Sequence, residues 1–212
     1  MVHRRDLGGR TLVFGNQGDL FGNAMTWWDH ETGSVWSQPL GKAILGPEAG
    51  ATLELLPSTL TTWGGWRASH PDTLALDVLG WDTGFHLEQM AVVVDRGREA
   101  AAYWIPALRE AGVVNTTLGG LEIAVVIDPE DPARWAVFSR RLDDTVAVLT
   151  TTDDGLLDVE SGTTFDPFLG LGREGPLADQ NLDRLPAFTA FPEDFATFFP
   201  DGVIWSGGST AG

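Results

Sequence analysis

Three groups of residues have the types and spacings from which chemistry could be built. His70, in Ser69-His70-Pro71-Asp72, is the first residue to consider as a base or metal ligand, because imidazole titrates near neutrality. Asp29 and Glu31 stand two apart, as do Asp158 and Glu160, and a carboxylate pair on one strand face could hold a cation or divide the acid and base roles. Trp36, Gln38, Arg67 and His70, with Lys42 and Trp63 nearby in sequence, combine aromatic faces with polar donors, an assortment suited to a neutral polar ligand such as a sugar. No G-x-S-x-G, H-E-x-x-H, G-x-x-x-x-G-K-[ST] or helix-opening G-x-G-x-x-G occurs, so the sequence nominates no catalytic residue.

The chain repeats itself, and the repeat weighs these candidates. Asp29–Thr73 recurs without a gap as Asp158–Gly202, with thirteen of 45 positions identical, where average usage gives about three. His70 is matched by Phe199, which makes an aromatic packing role the simpler reading. The element D-x-E-[TS]-G-[ST]-x-[WF] occurs in both copies, as Asp29, Glu31 and Gly33, then as Asp158, Glu160 and Gly162. It reads as a hairpin tip, in which Asp bonds the turn backbone and Gly takes the positive φ. The ligand candidates differ between copies: Trp36-Ser37-Gln38 becomes Phe165-Asp166-Pro167, Lys42 becomes Leu171, Trp63 becomes Pro192 and Arg67 becomes Ala196. A ligand site is therefore expected in the first copy, at Trp36, Gln38, Arg67 and His70.

Composition narrows the partners. With 30 acidic and 13 basic residues the formal charge is −17, which argues against nucleic acid and anionic membrane surfaces. Cysteine is absent, removing disulfides, zinc-thiolate sites and cysteine nucleophiles; no metal or other cofactor is expected. No apolar run approaches the roughly 20 residues of a membrane span, and Val2–Arg10 lacks the apolar core of a signal peptide.

The elements that must position these residues are mostly short strands. Thr11–Phe14, Thr52–Leu56, Ala91–Val94, Ile123–Ile127 and Thr145–Leu149 are β-branched or apolar runs bounded by turn residues. Ala91–Ile105 reads as a hairpin turning at Asp95-Arg96-Gly97. Pro106–Ala111 before Gly112 reads as a short helix, with further helical turns at Thr62–Ser69 and Phe191–Phe199. Leu169–Gly175 reads as a loop between strands. The expected fold is mainly β (α+β with few short helices), built from two tandem homologous units, 1–90 and 91–212, packed as one body. The first is expected to begin in mid-unit, since nothing before Met1 matches Ala91–Pro129.

The stretches D-H-E-T-G-S-V-W-S-Q-P-L-G-K, T-T-W-G-G-W-R-A-S-H-P-D-T and D-T-G-F (Asp82–Phe85), then A-A-Y-W-I-P-A-L-R-E-A-G-V-V-N-T-T-L-G-G and F-S-R-R-L-D-D, resemble a bacterial and archaeal family catalogued as domain of unknown function 3179. The resemblance implies no established activity. It implies an upstream segment with a Cys-Pro-Leu-Cys motif, absent from this chain, and an extracytoplasmic setting for full-length relatives. Two functions follow as expectations. One is a non-catalytic binding or scaffold domain for a small molecule or protein. The other is a remnant of a metal-dependent or redox enzyme whose Cys-bearing segment is missing.

Overall fold

The computed structural model describes residues 1–58, 60–75 and 87–208, so Asp82–Phe85 lies outside the described residues. The fold is mainly β, with three α-helices of seven residues each among the described residues. In chain order come β1 (Val2–His3), β2 (Asp6–Leu7), β3 (Arg10–Thr11), β4 (Phe14–Phe21), β5 (Ala24–Asp29), β6 (Val35–Ser37), β7 (Lys42–Leu45), β8 (Leu55–Leu56) and α1 (Trp63–Ser69). Then follow β9 (Ala91–Asp95), β10 (Ala100–Trp104), α2 (Ile105–Ala111), β11 (Val113–Leu118) and β12 (Leu121–Ile127). The chain continues through β13 (Trp135–Ser139), β14 (Arg141–Leu142), β15 (Thr145–Val146), β16 (Leu149–Thr152), β17 (Gly155–Asp158), β18 (Thr164–Phe165), β19 (Gly172–Glu174), β20 (Phe188–Ala190), α3 (Pro192–Phe198) and β21 (Val203–Trp205). No helix among the described residues is long and apolar enough to cross a membrane.

The repeated sequence folds into repeated structure. β5-β6-β7 and β17-β18-β19 are antiparallel ribbons of the same order, and the bridge Lys42–Thr52 recurs at Leu171–Asn181. The resemblance also extends upstream of Asp29. Arg4 N–H donates to Glu54 C=O as Ser139 N–H does to Asp183, and Leu12 N–H to Arg5 C=O as Ala147 N–H does to Arg140. His3 pairs with Leu55 where Phe138 bridges Arg184. The gapless alignment misses this half because the β4–β5 hairpin is longer than β16–β17, by four residues in its first strand and two in its second. Leu169–Gly175 is not all loop: Gly172–Glu174 is β19. A Cβ at Gly172 would lie 2.5 Å from the carbonyl oxygens of Ala178 and Gln180, so glycine here serves a close approach of backbones.

Packing does not follow the 1–90 and 91–212 boundary. The chain divides into one compact unit of Met1–Ser58, Ala91–Ala102 and Pro186–Trp205, and another of Thr59–Met90, Tyr103–Leu185 and Ser206–Gly212. In the first unit, Leu12, Trp36, Ala43 and Leu53 form one core beneath β4-β5-β6-β7. A second core joins Ala91, Val93, Ala100, Ala102, Phe188 and Phe195, with Leu55 of the first copy packed against it. That shared core draws the hairpin and α3 towards first-copy strands. The extra length of the β4–β5 hairpin reaches α3: Phe21 meets Phe198 at 6.0 Å between ring centroids, and the Asn23 amide donates to Asp194 at 3.1 Å.

In the other unit, β11-β12-β13 packs with β16-β17-β18-β19 around Ala124, Val126, Phe138, Leu149, Leu156 and Phe165. Asn115 on β11 ties the two sheets, donating its amide to Leu149 C=O and accepting Leu149 N–H. α2 begins with Pro in its first turn and ends at Gly112 with φ 70°, the asymmetry that Pro106 and Gly112 predict.

Candidate functional site

Asp29 and Asp158 build turns, whereas the Glu31 carboxylate accepts the N–H of Val13. Asp29 ends β5 fully buried, and its oxygens accept the Thr32 N–H at 2.6 Å, the Thr32 hydroxyl and the Trp36 indole N–H at 2.8 Å. Asp158 repeats the arrangement with Ser161 N–H and hydroxyl, at 3.2 and 2.6 Å. Gly33 and Gly162 take φ of 70° and 73°. Burial pushes both carboxyls up, but the hydrogen bonds outweigh it and hold both below the ordinary range, so they are charged acceptors with their lone pairs occupied.

The ligand candidates fall in different places. Trp36 is fully buried, with Phe14 edge-on to its ring at 5.6 Å, so neither face of the indole is open to a ligand; this corrects its reading as a stacking platform. Gln38 is half-buried and belongs to the first unit. Arg67 and His70 belong to the second unit and are exposed on and after α1. His70 lies on Trp66, ring centroids 3.8 Å apart and 10° from parallel, as Phe199 lies on Phe195 at 5.2 Å and 27°.

A cleft of about 630 Å³ opens in the second unit, at the end of β12, the loop that follows, the β16–β17 turn and the Asp166–Phe168 corner. Arg134 extends over the ring of Phe168, 4.2 Å from its centroid, and reaches Asp128 at only 3.4 Å. Arg173 is held by Asp166 at 2.7 Å and donates to Asp154 C=O at 3.1 Å. Asp166 also caps the corner, accepting the N–H groups of Phe168 and Leu169; these bonds and Arg173 overcome burial and keep its carboxyl below the ordinary range. Asp128, Glu130, Asp153, Asp154 and Asp166 thus face only Arg134 and Arg173. Among the described residues that line it, no nucleophile is paired with a base. Arg134, Phe168 and Arg173 sit in no motif, and their one sequence signal is that Asp166-Pro167-Phe168 stands where the other copy has Ser37-Gln38-Pro39. Among the described residues no group of three His, Asp or Glu side chains is placed to hold a metal ion.

A protein-family model described as "Protein of unknown function (DUF3179)" matches the chain twice, over residues 1–80 and 75–202. No curated protein and no solved structure matches it.

Proposed function

We propose that this chain, which belongs to the DUF3179 family of proteins of unknown function, is a non-catalytic binding domain that takes a small organic cation in the cleft beside Phe168. The observation that carries this reading is the guanidinium of Arg134 lying over the Phe168 ring at 4.2 Å, a cation–π geometry already made by the protein itself. Arg134 is 54% exposed and loosely tied to Asp128, so a ligand ammonium or guanidinium can displace it while the surplus carboxylates supply the countercharge. This moves the site from the first copy to the second, and from a neutral sugar to a cation.

Calorimetric titration with agmatine and choline, against glucose as a neutral control, tests the reading. Both cations bind with an affinity that falls with salt, Phe168→Leu weakens them and Arg134→Ala, which bares the ring, strengthens them. Equal binding of glucose, or a Phe168→Leu variant that binds as the parent does, sinks it.

A further inference from the structure

The carboxylates of the cleft are not equally free. Asp166 is filled on both oxygens, Oδ1 accepting the N–H groups of Phe168 and Leu169 and Oδ2 accepting Arg173. Asp128 is filled on one. Its Oδ1 accepts the Glu130 N–H at 2.9 Å, while Oδ2 has only the Arg134 guanidinium at 3.4 Å. The carboxylates of Glu130, Asp153 and Asp154, all exposed, make no hydrogen bond or ion pair among the described residues. Charge is thus cancelled at Asp128 and Asp166 and left over at the other three, two of which stand together in the β16–β17 turn.

That turn is pinned beside the aromatic ring. Arg173 joins the two, donating one terminal nitrogen to Asp166 and the other to Asp154 C=O at 3.1 Å. Gly155, next to Asp154, lies against the corner: a Cβ on it would be 3.5 Å from Cδ of Pro167, the residue before Phe168. Two Cα steps of about 3.8 Å and that contact bound the gap between ring and turn, a distance that an aliphatic chain crosses. Pro129 and Pro167 supply apolar lining for its methylenes.

We infer that the ligand class of this cleft is a linear dication, with a guanidinium or ammonium over Phe168 beside Asp128 and a second ammonium at Asp153 and Asp154, as in aminoalkylguanidines and polyamines. The inference rests on the cation-binding reading of the cleft and adds a second pole to it. Independent observations set the two poles. Arg134 marks the first as the protein's own cation on an aromatic face, and the accounting of partners leaves the carboxylates of the second unpaired. A monocation answers only one of them and leaves most of a cleft of about 630 Å³ unfilled.

Calorimetric titration of the full chain compares agmatine, the dication, with butylguanidine, which keeps the guanidinium and the chain but lacks the ammonium. Agmatine should bind at least about tenfold tighter, with the steeper dependence on salt. Asp153→Asn with Asp154→Asn, at exposed turn positions that asparagine suits, should bring agmatine down to the affinity of butylguanidine and leave butylguanidine itself unchanged. The same charge removed outside the cleft, by Asp143→Asn with Asp144→Asn in the β14–β15 turn, should leave the preference intact. Equal binding of the two compounds overturns the second pole while the cation at Phe168 stands. So does a preference that survives the changes at Asp153 and Asp154, or one that falls as far with those at Asp143 and Asp144. Binding of neither compound removes both.

Discussion

Trp36 donates its indole N–H to Asp29 across 2.8 Å, and the sister copy shows what that bond displaces. Where Phe165 replaces Trp36, Asp158 accepts the backbone N–H of Val148 at 2.9 Å. The matching N–H, that of Val13, goes instead to Glu31 at 3.0 Å. The carboxylate two residues along thus covers a donor that Asp29, engaged with the indole, does not.

Trp36→Phe should therefore destabilise the chain by about 1–3 kcal/mol, from the lost donor to a buried carboxylate. Glu31→Ala alone should cost about 0.5–1.5 kcal/mol. Combined, the two should cost less than their sum, because Asp29 can turn to Val13 as Asp158 does to Val148. Urea unfolding of the cycle measures this; strict additivity would refute the exchange of partners.

Gly46 and Gly175 are the second test. Their φ values are 97° and 113°, and a Cβ would meet the Cα of Ser34 at 2.8 Å or of Thr163 at 2.6 Å. Strain and overlap act together, so either Gly→Ala change should cost at least about 3 kcal/mol. Gly50→Ala is the control: φ is 95° but nothing lies within 4 Å, leaving a strain of about 1 kcal/mol. Equal losses at Gly46 and Gly50 would show that the close approach to Ser34 does not matter.

Acid should act in two stages. Burial, then the terminal ammonium, pulls His3 from 6.5 to about 4, so between those values the unfolded chain binds more protons than the folded one. Stability falls as pH drops through that window. His3→Phe, which installs the residue of the sister position, Phe138, should abolish this loss. Asp29 and Asp158 are depressed below 3.8, so their contribution is held above that value and lost as pH falls through their lower folded values. Unfolding midpoints from pH 3 to 8 separate the stages, and an unchanged slope between 4 and 6.5 in His3→Phe would exclude His3 as the cause of the first.

How much of this was legible follows from where each signal resides. The turns could be read because Asp29 and Gly33 act on their own neighbourhood, as Asp158 and Gly162 do in the second copy. The half upstream of Asp29 could not, since a hairpin changes length within the strands and His3 stands for Phe138. Trp36 looked like a ligand platform because a tryptophan shows its polar atom in sequence but not its partner, here seven residues back across a turn. The cleft is assembled from Val126 to Arg173 through loops whose approach no local pattern encodes.

The lengthened β4–β5 hairpin also has a consequence for synthesis. Asn23 and Asp194 are 171 residues apart, and the unit that holds them draws its pieces from residues 1–58, 91–102 and 186–205. Nascent first-copy strands emerge long before the helix they grip, so this unit waits for residues 186–205 while Tyr103–Leu185 can close on itself. A polypeptide released after Leu185 would present the middle of the molecule folded and its beginning still open to proteases.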